Sequence, residues 1–273
     1  MKRLYESAVF FVIFNVFSNA PVFITLSGAE GPQSADVQET PMVTVPAGNF
    51  DMGSNDSDSD ESPLQSVYLD EYKIDKHEAA ARQFARFLAE NGNADQKYMG
   101  ENGESTVVKN GDKYQARAGY ENRPATNVSW HGADAYCKWA GKRLPTEAEW
   151  EKAARGTDGR KYPWGNQEAN EKLAVYGKND ISFLKDVDSM PEGASPFGLH
   201  HMAGNVWEWT ADWYDSKYYR KGIVKNPKGP DSGKARVLRG GSWSRGAASL
   251  RTSNRGNDKP ANRHGFDGFR CVR

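Results

Sequence analysis

The chain alternates short apolar stretches with turns rich in Gly, Asn and Pro, and few of those stretches have helical spacing. Residues 42–52 alternate apolar and polar side chains on either side of a Pro-Ala-Gly turn, which predicts a pair of short strands. Residues 65–75 predict a further strand. Residues 91–122 are dense in Asn and Gly and lack periodicity, which predicts an irregular loop or insertion.

Two helices are predicted from apolar spacing and stop signals. Within residues 78–90, Phe84, Phe87 and Leu88 form an apolar stripe at helical spacing, which is typical of a helix face packed into a core. Residues 130–140 predict the second helix, and the glycine that follows suits the left-handed conformation that ends helices.

A third helix is predicted from its capping residues. The Thr146 hydroxyl can accept a backbone hydrogen bond while Glu149, three residues later, reaches back to the helix start. Gly156 ends this helix. A few short helices among many strands and turns predict an α+β domain.

The N-terminus differs from the rest of the chain. Two basic residues precede an apolar run over residues 8–17, and small residues stand at 27–29, so residues 1–29 are predicted to be a signal peptide. The alternative is an uncleaved membrane anchor, because residues 7–29 carry no charge. Residues 30–41 are polar and predict a flexible linker to a single domain over residues 42–273.

Charge adds little about partners. The chain has 36 Lys and Arg against 36 Asp and Glu, so its formal net charge is zero. This balance gives no reason to expect nucleic acid or an acidic membrane as a partner. We expect an exported protein that meets a membrane only if its signal segment is retained.

Six motifs in a fixed order carry a family resemblance. They are MVTVPAGNFDMGS (42–54), RPATNVSWHGADAYCKWAGKRLPTEAEWEKAARG (123–156), YPWGN (162–166), FGLHHMAGNVWEW (197–209), VLRGGSW (237–243) and GFRCVR (268–273). Together they resemble the formylglycine-generating enzyme, or sulfatase-modifying factor, family over nearly all of residues 42–273. The resemblance implies a C-type-lectin-like fold of small twisted antiparallel sheets, few helices and much irregular loop.

The resemblance also implies a disulfide. Cys137 and Cys271 stand in AYCKWAG and GFRCVR, where enzymes of the family place a structural disulfide. An even cysteine count in an exported chain agrees with this pairing. The alternative is a pair of free, reactive thiols.

This sequence lacks the two cysteines that bind copper in the family's oxidases. Oxidase members bind copper(I) through two cysteines just after the GGS motif, because soft thiolates suit that ion. When the chain is aligned on GGS, those positions are Arg245 and Leu250. The resemblance therefore implies the family fold without copper and without formylglycine-generating activity.

A structural calcium ion is the cofactor that the resemblance implies. Transferred residue by residue, the calcium ligands would be the carbonyls of Gly204 and Val206, the carboxylate of Glu208, and His201 at a position that is usually Asn. The alternative is that Glu208 pairs with another side chain inside a Trp-rich core.

The C-terminal region alternates two kinds of sequence. Framework stretches at 250–255, 260–263 and 268–270 separate irregular clusters at 244–246, 256–258 and 264–267. This pattern resembles the variable region of diversity-generating-retroelement proteins, in which adenines are mutagenised. Ordinary drift at exposed loops is the alternative, and NNC codons across the clusters would distinguish the two.

The clusters supply the candidate ligand-binding residues, which combine an aromatic anchor, both charge signs and adaptable donors. They are Ser244, Arg245, Gly246, Asn257, Asp258, His264, Phe266 and Asp267. The first hypothesis is a non-catalytic, exported domain that binds a protein or small-molecule ligand through residues 244–267. The alternatives are a maturation enzyme of different chemistry and a structural accessory domain.

Overall fold

A computed structural model describes residues 40–273. The predicted signal peptide at 1–29, and the predicted linker up to residue 39, lie outside the described residues. The last two linker residues already contact the domain, because Lys76 N donates to the carbonyl of Pro41 (2.7 Å) and Gln83 donates to the Thr40 hydroxyl (3.0 Å). Within residues 40–273, no helix is long and apolar enough to cross a membrane.

The described residues form three α-helices and ten short strands, joined by long irregular segments and short 3₁₀ turns. The helices are α1 (Ala81–Asn91), α2 (Trp130–Trp139) and α3 (Glu147–Arg155). The strands are β1 (Met42–Val45), β2 (Gly48–Met52), β3 (Gln65–Leu69), β4 (Tyr72–Asp75), β5 (Val107–Asn110), β6 (Lys113–Ala116), β7 (Trp207–Trp213), β8 (Arg236–Arg239), β9 (Arg255–Asp258) and β10 (Asp267–Gly268).

The strands form small sheets. The largest has the order β10-β7-β8-β9, in which β10 runs parallel to β7 and the other pairs are antiparallel. Three antiparallel ribbons, β1-β4, β2-β3 and β5-β6, complete the strand pairing of the described chain. The predicted α+β fold of small sheets, few helices and much loop is confirmed.

The pairing of the first strands differs from the prediction. The two halves of residues 42–52 are the strands β1 and β2, but these two strands do not pair with each other. β1 pairs with β4, and β2 pairs with β3. At the bend between them, the Lys152 ammonium donates to the carbonyls of Pro46 and Gly48 (2.7 and 2.9 Å). The predicted strand over 65–75 is likewise two strands, because each half pairs with a different partner.

The segment predicted as irregular loop contains the β5-β6 hairpin. Gly111 is the first of the two turn residues, Gly111 and Asp112, and its φ of 61° is the positive φ that a two-residue turn with Gly at its first position requires. Val107 at the start of β5 is buried in the same core cluster as the α1 residues. Packing against α1 therefore stabilises a hairpin that periodicity alone did not indicate.

The capping residues of α3 behave as predicted. The Thr146 hydroxyl accepts from Glu149 N at 3.2 Å, and the Glu149 carboxylate accepts from Thr146 N at 2.7 Å. Gly156 follows the last turn with φ of 73°. These reciprocal bonds satisfy backbone donors that the helix itself leaves unpaired.

The predicted disulfide between Cys137 and Cys271 is present, with Cα atoms 5.6 Å apart. It joins α2 to the C-terminal segment inside a core cluster that also holds Phe84 and Phe269. The bond closes a separation of 134 residues, which in the chain-entropy account stabilises the fold by about 4–5 kcal/mol.

Asp212 on β7 is a buried carboxyl that meets the start of α3. Its Oδ2 accepts from Glu147 N at 2.8 Å. Burial raises the pKa of Asp212 to about 8, and the negative charge of Glu147 adds to the increase. The folded protein therefore keeps a proton on this carboxyl at pH values where the unfolded chain loses it.

We predict that Asp212→Asn weakens the pH dependence of stability. A carboxyl whose folded pKa is about 8, against 3.8 unfolded, contributes stability that is present below pH 3.8 and lost as pH rises through 8. Asn can still accept from Glu147 N but cannot ionise. The difference in unfolding free energy between the variant and wild type, measured by chemical denaturation, should shift in favour of the variant by at least about 1 kcal/mol when the pH is raised from 4 to 8. Identical pH profiles for the two proteins would contradict this.

Candidate functional site

A cavity of about 350 Å³ lies against strands β7, β8 and β9, at the predicted ligand-binding region. Its lining consists of Trp207, Leu238, Arg245, Gly256, Asn257, Asp258, His264 and Phe266. Most of the predicted ligand-binding side chains are therefore brought together. Trp207 and Leu238, which the sequence analysis did not identify, are the buried apolar lining.

Gly256 makes room for this apolar lining. It stands opposite Leu238 in the β8-β9 pairing. A Cβ atom at this position would lie 3.1 Å from the Trp207 ring and 3.3 Å from the Leu238 side chain. Any larger residue would therefore crowd Trp207 and occupy part of the cavity.

Phe266 is the aromatic centre of the cavity lining. The His264 ring stacks on it with centroids 4.9 Å apart and an angle of 10° between the planes. The guanidinium of Arg245, an exposed residue, lies 5.4 Å from the same ring centroid. The site therefore presents a flat aromatic stack beside an accessible positive charge.

Two carboxylates lie next to this stack. Asp258 Oδ2 is 3.0 Å from His264 Nε2, and Asp258 Oδ1 accepts from Lys259 N and Asn262 Nδ2. Asp267 is fully buried, and neither of its carboxylate oxygens has a hydrogen-bond partner among the residues that the structure describes. Burial, reinforced by the charge of Asp258, raises the pKa of Asp267 well above its usual value.

The remaining predicted residues lie beside the cavity rather than in its lining. The half-buried Ser244 hydroxyl is 3.1 Å from that of Ser242. Gly246 is exposed, and its carbonyl accepts from the Ser249 hydroxyl. A Cβ atom at Gly246 would meet no other atom within 4 Å, so a side chain would fit there.

The site does not assemble a nucleophile with a base. Within the described chain, Asp258 is the only side chain that hydrogen-bonds to the His264 ring, and no hydroxyl or thiol does so. Covalent catalysis needs a nucleophile within reach of its base. The arrangement is instead suited to holding a ligand by stacking, charge and hydrogen bonding.

The two positions aligned with the family's copper ligands have different surroundings. Arg245 lines the cavity, whereas Leu250 is fully buried in an apolar cluster with Tyr162 and Ala203. The chain's two cysteines are joined to each other, so no thiolate is available for copper(I).

The side chains of the predicted calcium site do not fit that ion. Both Glu208 oxygens accept from the Arg270 guanidinium at 2.7 Å, and Oε2 also accepts from the Trp150 indole at 2.8 Å. A guanidinium in this place supplies the positive charge that a calcium ion would bring. This arrangement matches the alternative expectation, in which Glu208 pairs with another side chain inside a Trp-rich core.

The other predicted calcium ligands form a tight left-handed loop. The buried His201 ring has Nε2 3.0 Å from the carbonyl of Asp186, and burial lowers the pKa of His201 to about 3. Gly204 has φ of 78°, and a Cβ there would lie 2.4 Å from the carbonyl oxygen of Val175. Val206 is fully buried in an apolar cluster.

Comparison with known proteins agrees with this architecture. The chain matches the domain family described as "Sulfatase-modifying factor enzyme 1-like domain" over residues 28–273. It is 33% identical to a formylglycine-generating enzyme of Thermomonospora curvata, over 85% of this chain and 92% of that protein. It is 37% identical to serine/threonine-protein kinase pkn1 of Chlamydia caviae, over 86% of this chain but 38% of the kinase. The chain thus spans about two fifths of the length of that relative.

Solved structures show the same fold. PvdO from Pseudomonas aeruginosa superimposes with a TM-score of 0.67 at 26% identity, over 85% of this chain and 93% of that one. Variable protein 1 of Treponema denticola superimposes with a TM-score of 0.63, also at 26% identity, over 85% of this chain and 94% of that one. With its motifs, its disulfide and a match that covers residues 28–273, the chain belongs to the sulfatase-modifying factor, or formylglycine-generating enzyme, family.

Proposed function

We propose that this protein is an exported, non-catalytic member of its family that binds a ligand in the cavity beside Phe266. The observation that carries the proposal is the composition of that cavity. Arg245 lines it at a position aligned with a copper ligand of the oxidases, next to the stacked rings of His264 and Phe266. These side chains suit recognition, and Arg245 stands where oxidase chemistry needs a thiolate.

The size and chemistry of the cavity restrict which ligands it can bind. A volume of about 350 Å³ is at the small end for ligand sites, so it suits a small molecule or one side chain of a protein partner. The stacked rings favour a flat group, and the exposed Arg245 favours a negative charge near it. A carboxylate next to a planar or apolar group has both features.

A larger cavity of about 530 Å³ lies beside Tyr72, Arg143 and Glu149. Two of the charged groups in its lining pair with each other, because the Arg143 guanidinium donates to both Glu149 oxygens at 2.6 and 2.7 Å. In the cavity beside Phe266, the exposed Arg245 guanidinium lies over the Phe266 ring and, among the described residues, forms no ion pair with a carboxylate. This contrast favours the smaller cavity as the recognition site.

Two further features of the proposal concern export and variation. The disulfide suits an oxidising compartment outside the cytoplasm, in agreement with the predicted signal peptide. The similarity to variable protein 1 of Treponema denticola supports the hypothesis that the clusters in 244–267 are diversified. Diversification would change the cavity lining while the buried framework stays constant.

Ligand capture should depend on three cavity side chains. A screen of carboxylates, sugars and short peptides by thermal shift would identify a ligand, and its Kd would be measured by calorimetry. The triple variant Arg245→Ala, His264→Ala, Phe266→Ala should raise that Kd at least about thirtyfold, because anchor residues of an interface each contribute about 2 kcal/mol.

A matched triple variant provides the control. Arg160→Ala, Lys221→Ala and Ile223→Ala change residues outside the cavity lining and should leave the Kd within about twofold. Unfolding curves would verify that both triple variants remain folded. Unchanged affinity in the cavity variant would reject the cavity beside Phe266 as the recognition site.

The absence of oxidase chemistry is tested separately. Wild-type protein mixed with copper(I) and a cysteine peptide carrying a sulfatase motif should neither bind the metal tightly nor produce formylglycine, because it has no free thiolate. The Thermomonospora curvata enzyme serves as the positive control under the same conditions. Peptide-dependent oxygen uptake with mass-spectrometric detection of formylglycine would overturn the non-catalytic assignment and favour an enzyme.

A further inference from the structure

Three potential metal ligands converge at one edge of the recognition cavity. Asp258 ends β9, His264 lies in the following loop, and Asp267 begins β10. One ligand atom from each of the three lies within 4.8 Å of the others. β9 and β10 are the opposite edges of the β10-β7-β8-β9 sheet, and the loop between them brings the three residues together.

Asp267 has unusual surroundings for a buried carboxyl group. Its side chain is fully buried, and both oxygens lack a hydrogen-bond partner among the described residues. Buried carboxylates are nearly always paired with a cation or hydrogen-bonded, because the transfer of a carboxylate from water into the protein interior is otherwise unfavourable. A second carboxylate, Asp258, lies beside it. The charge of Arg245 acts on Asp267, but no cationic side chain of the described residues hydrogen-bonds to the Asp267 oxygens, and a bound cation would be stabilised by both carboxylates.

We propose that Asp258, His264 and Asp267 bind a divalent transition-metal ion, with zinc as the best match. One imidazole nitrogen and two carboxylate oxygens are a donor set that zinc accepts, with a fourth position left for water or a ligand. Calcium is a poorer match because it prefers six to eight oxygen ligands. Its three ligands are neither the positions aligned with the family's copper ligands nor the predicted calcium ligands.

One of the three separations is close to the one that zinc requires, and the other two do not exceed 4.8 Å. His264 Nε2 and Asp258 Oδ2 are 3.0 Å apart. Two ligand atoms each about 2.1 Å from a tetrahedral zinc ion are about 3.4 Å apart, so a small side-chain movement would admit the ion. Asp258 Oδ1 would remain bonded to Lys259 N and Asn262 Nδ2, which orient the carboxylate.

A metal ion here would add a function to the cavity. Asp258 and His264 line the cavity and are partly exposed, so the open coordination position would face it. Arg245 lines the same cavity. The ion and the guanidinium could then hold one anionic group of a ligand between them. Metal binding is tested with zinc alone, so its outcome does not depend on whether the proposed ligand capture succeeds.

Zinc binding to the full, untagged and metal-stripped protein would be measured by isothermal titration and by competition with a chromophoric chelator. We expect one zinc per chain with a micromolar or tighter Kd. Asp267→Asn and His264→Gln should each weaken binding at least about tenfold, because each removes one of three ligands. Thermal unfolding without zinc would show whether each variant folds.

His200→Gln is the matched control, since it removes an imidazole outside the cluster, beside His77. It should bind zinc as wild type does. If Asp267→Asn fails to fold, Asp258→Asn at a partly exposed position replaces it in the same measurement. The proposal is overturned if wild type binds no stoichiometric zinc, or if binding survives loss of both His264 and the tested carboxylate.

Discussion

The buried ion pair between Arg270 and Glu208 is the interaction on which the rest of the domain depends. Both side chains are fully buried, and the guanidinium meets both carboxylate oxygens at 2.7 Å. The same guanidinium also donates to the carbonyls of Asp75, Lys76 and His200. Loss of either partner would leave an uncompensated buried charge, which typically destabilises a protein by about 3–5 kcal/mol.

A second buried arginine extends this framework towards the recognition region. Arg239 on β8 pairs with Glu151 of α3 and donates to the carbonyls of Thr252 and Ser253. It thereby fixes the framework stretch that leads into β9. These charges bind backbone carbonyls rather than cluster side chains, so their contacts do not depend on which side chains stand in the clusters at 244–246, 256–258 and 264–267.

The sequence predicted local structure well and long-range pairing poorly. The α3 boundaries followed from Thr146, Glu149 and Gly156, because capping depends on residues within one turn. The partners of β1 and β2 could not be predicted, because they depend on strands more than a dozen residues away. The β5-β6 hairpin was missed, because its stability comes from packing against α1.

The recognition site shows the same division between local and long-range information. The alignment on GGS placed Arg245 in the site, and the irregular clusters indicated His264 and Phe266. Trp207 and Leu238 were not identified from the sequence, and only the sheet shows that they line the cavity. The unpaired burial of Asp267 is a property of the fold, so no motif could have indicated it.

We propose that this protein meets its ligand in the cavity beside Phe266 rather than at any other surface. Hydrogen–deuterium exchange of the wild-type protein, with and without a ligand from the thermal-shift screen, would locate the contact. We expect slowed exchange in residues 244–246 and 256–267 and little change elsewhere. Slowed exchange beside Tyr72 and Arg143, with residues 244–267 unaffected, would contradict it.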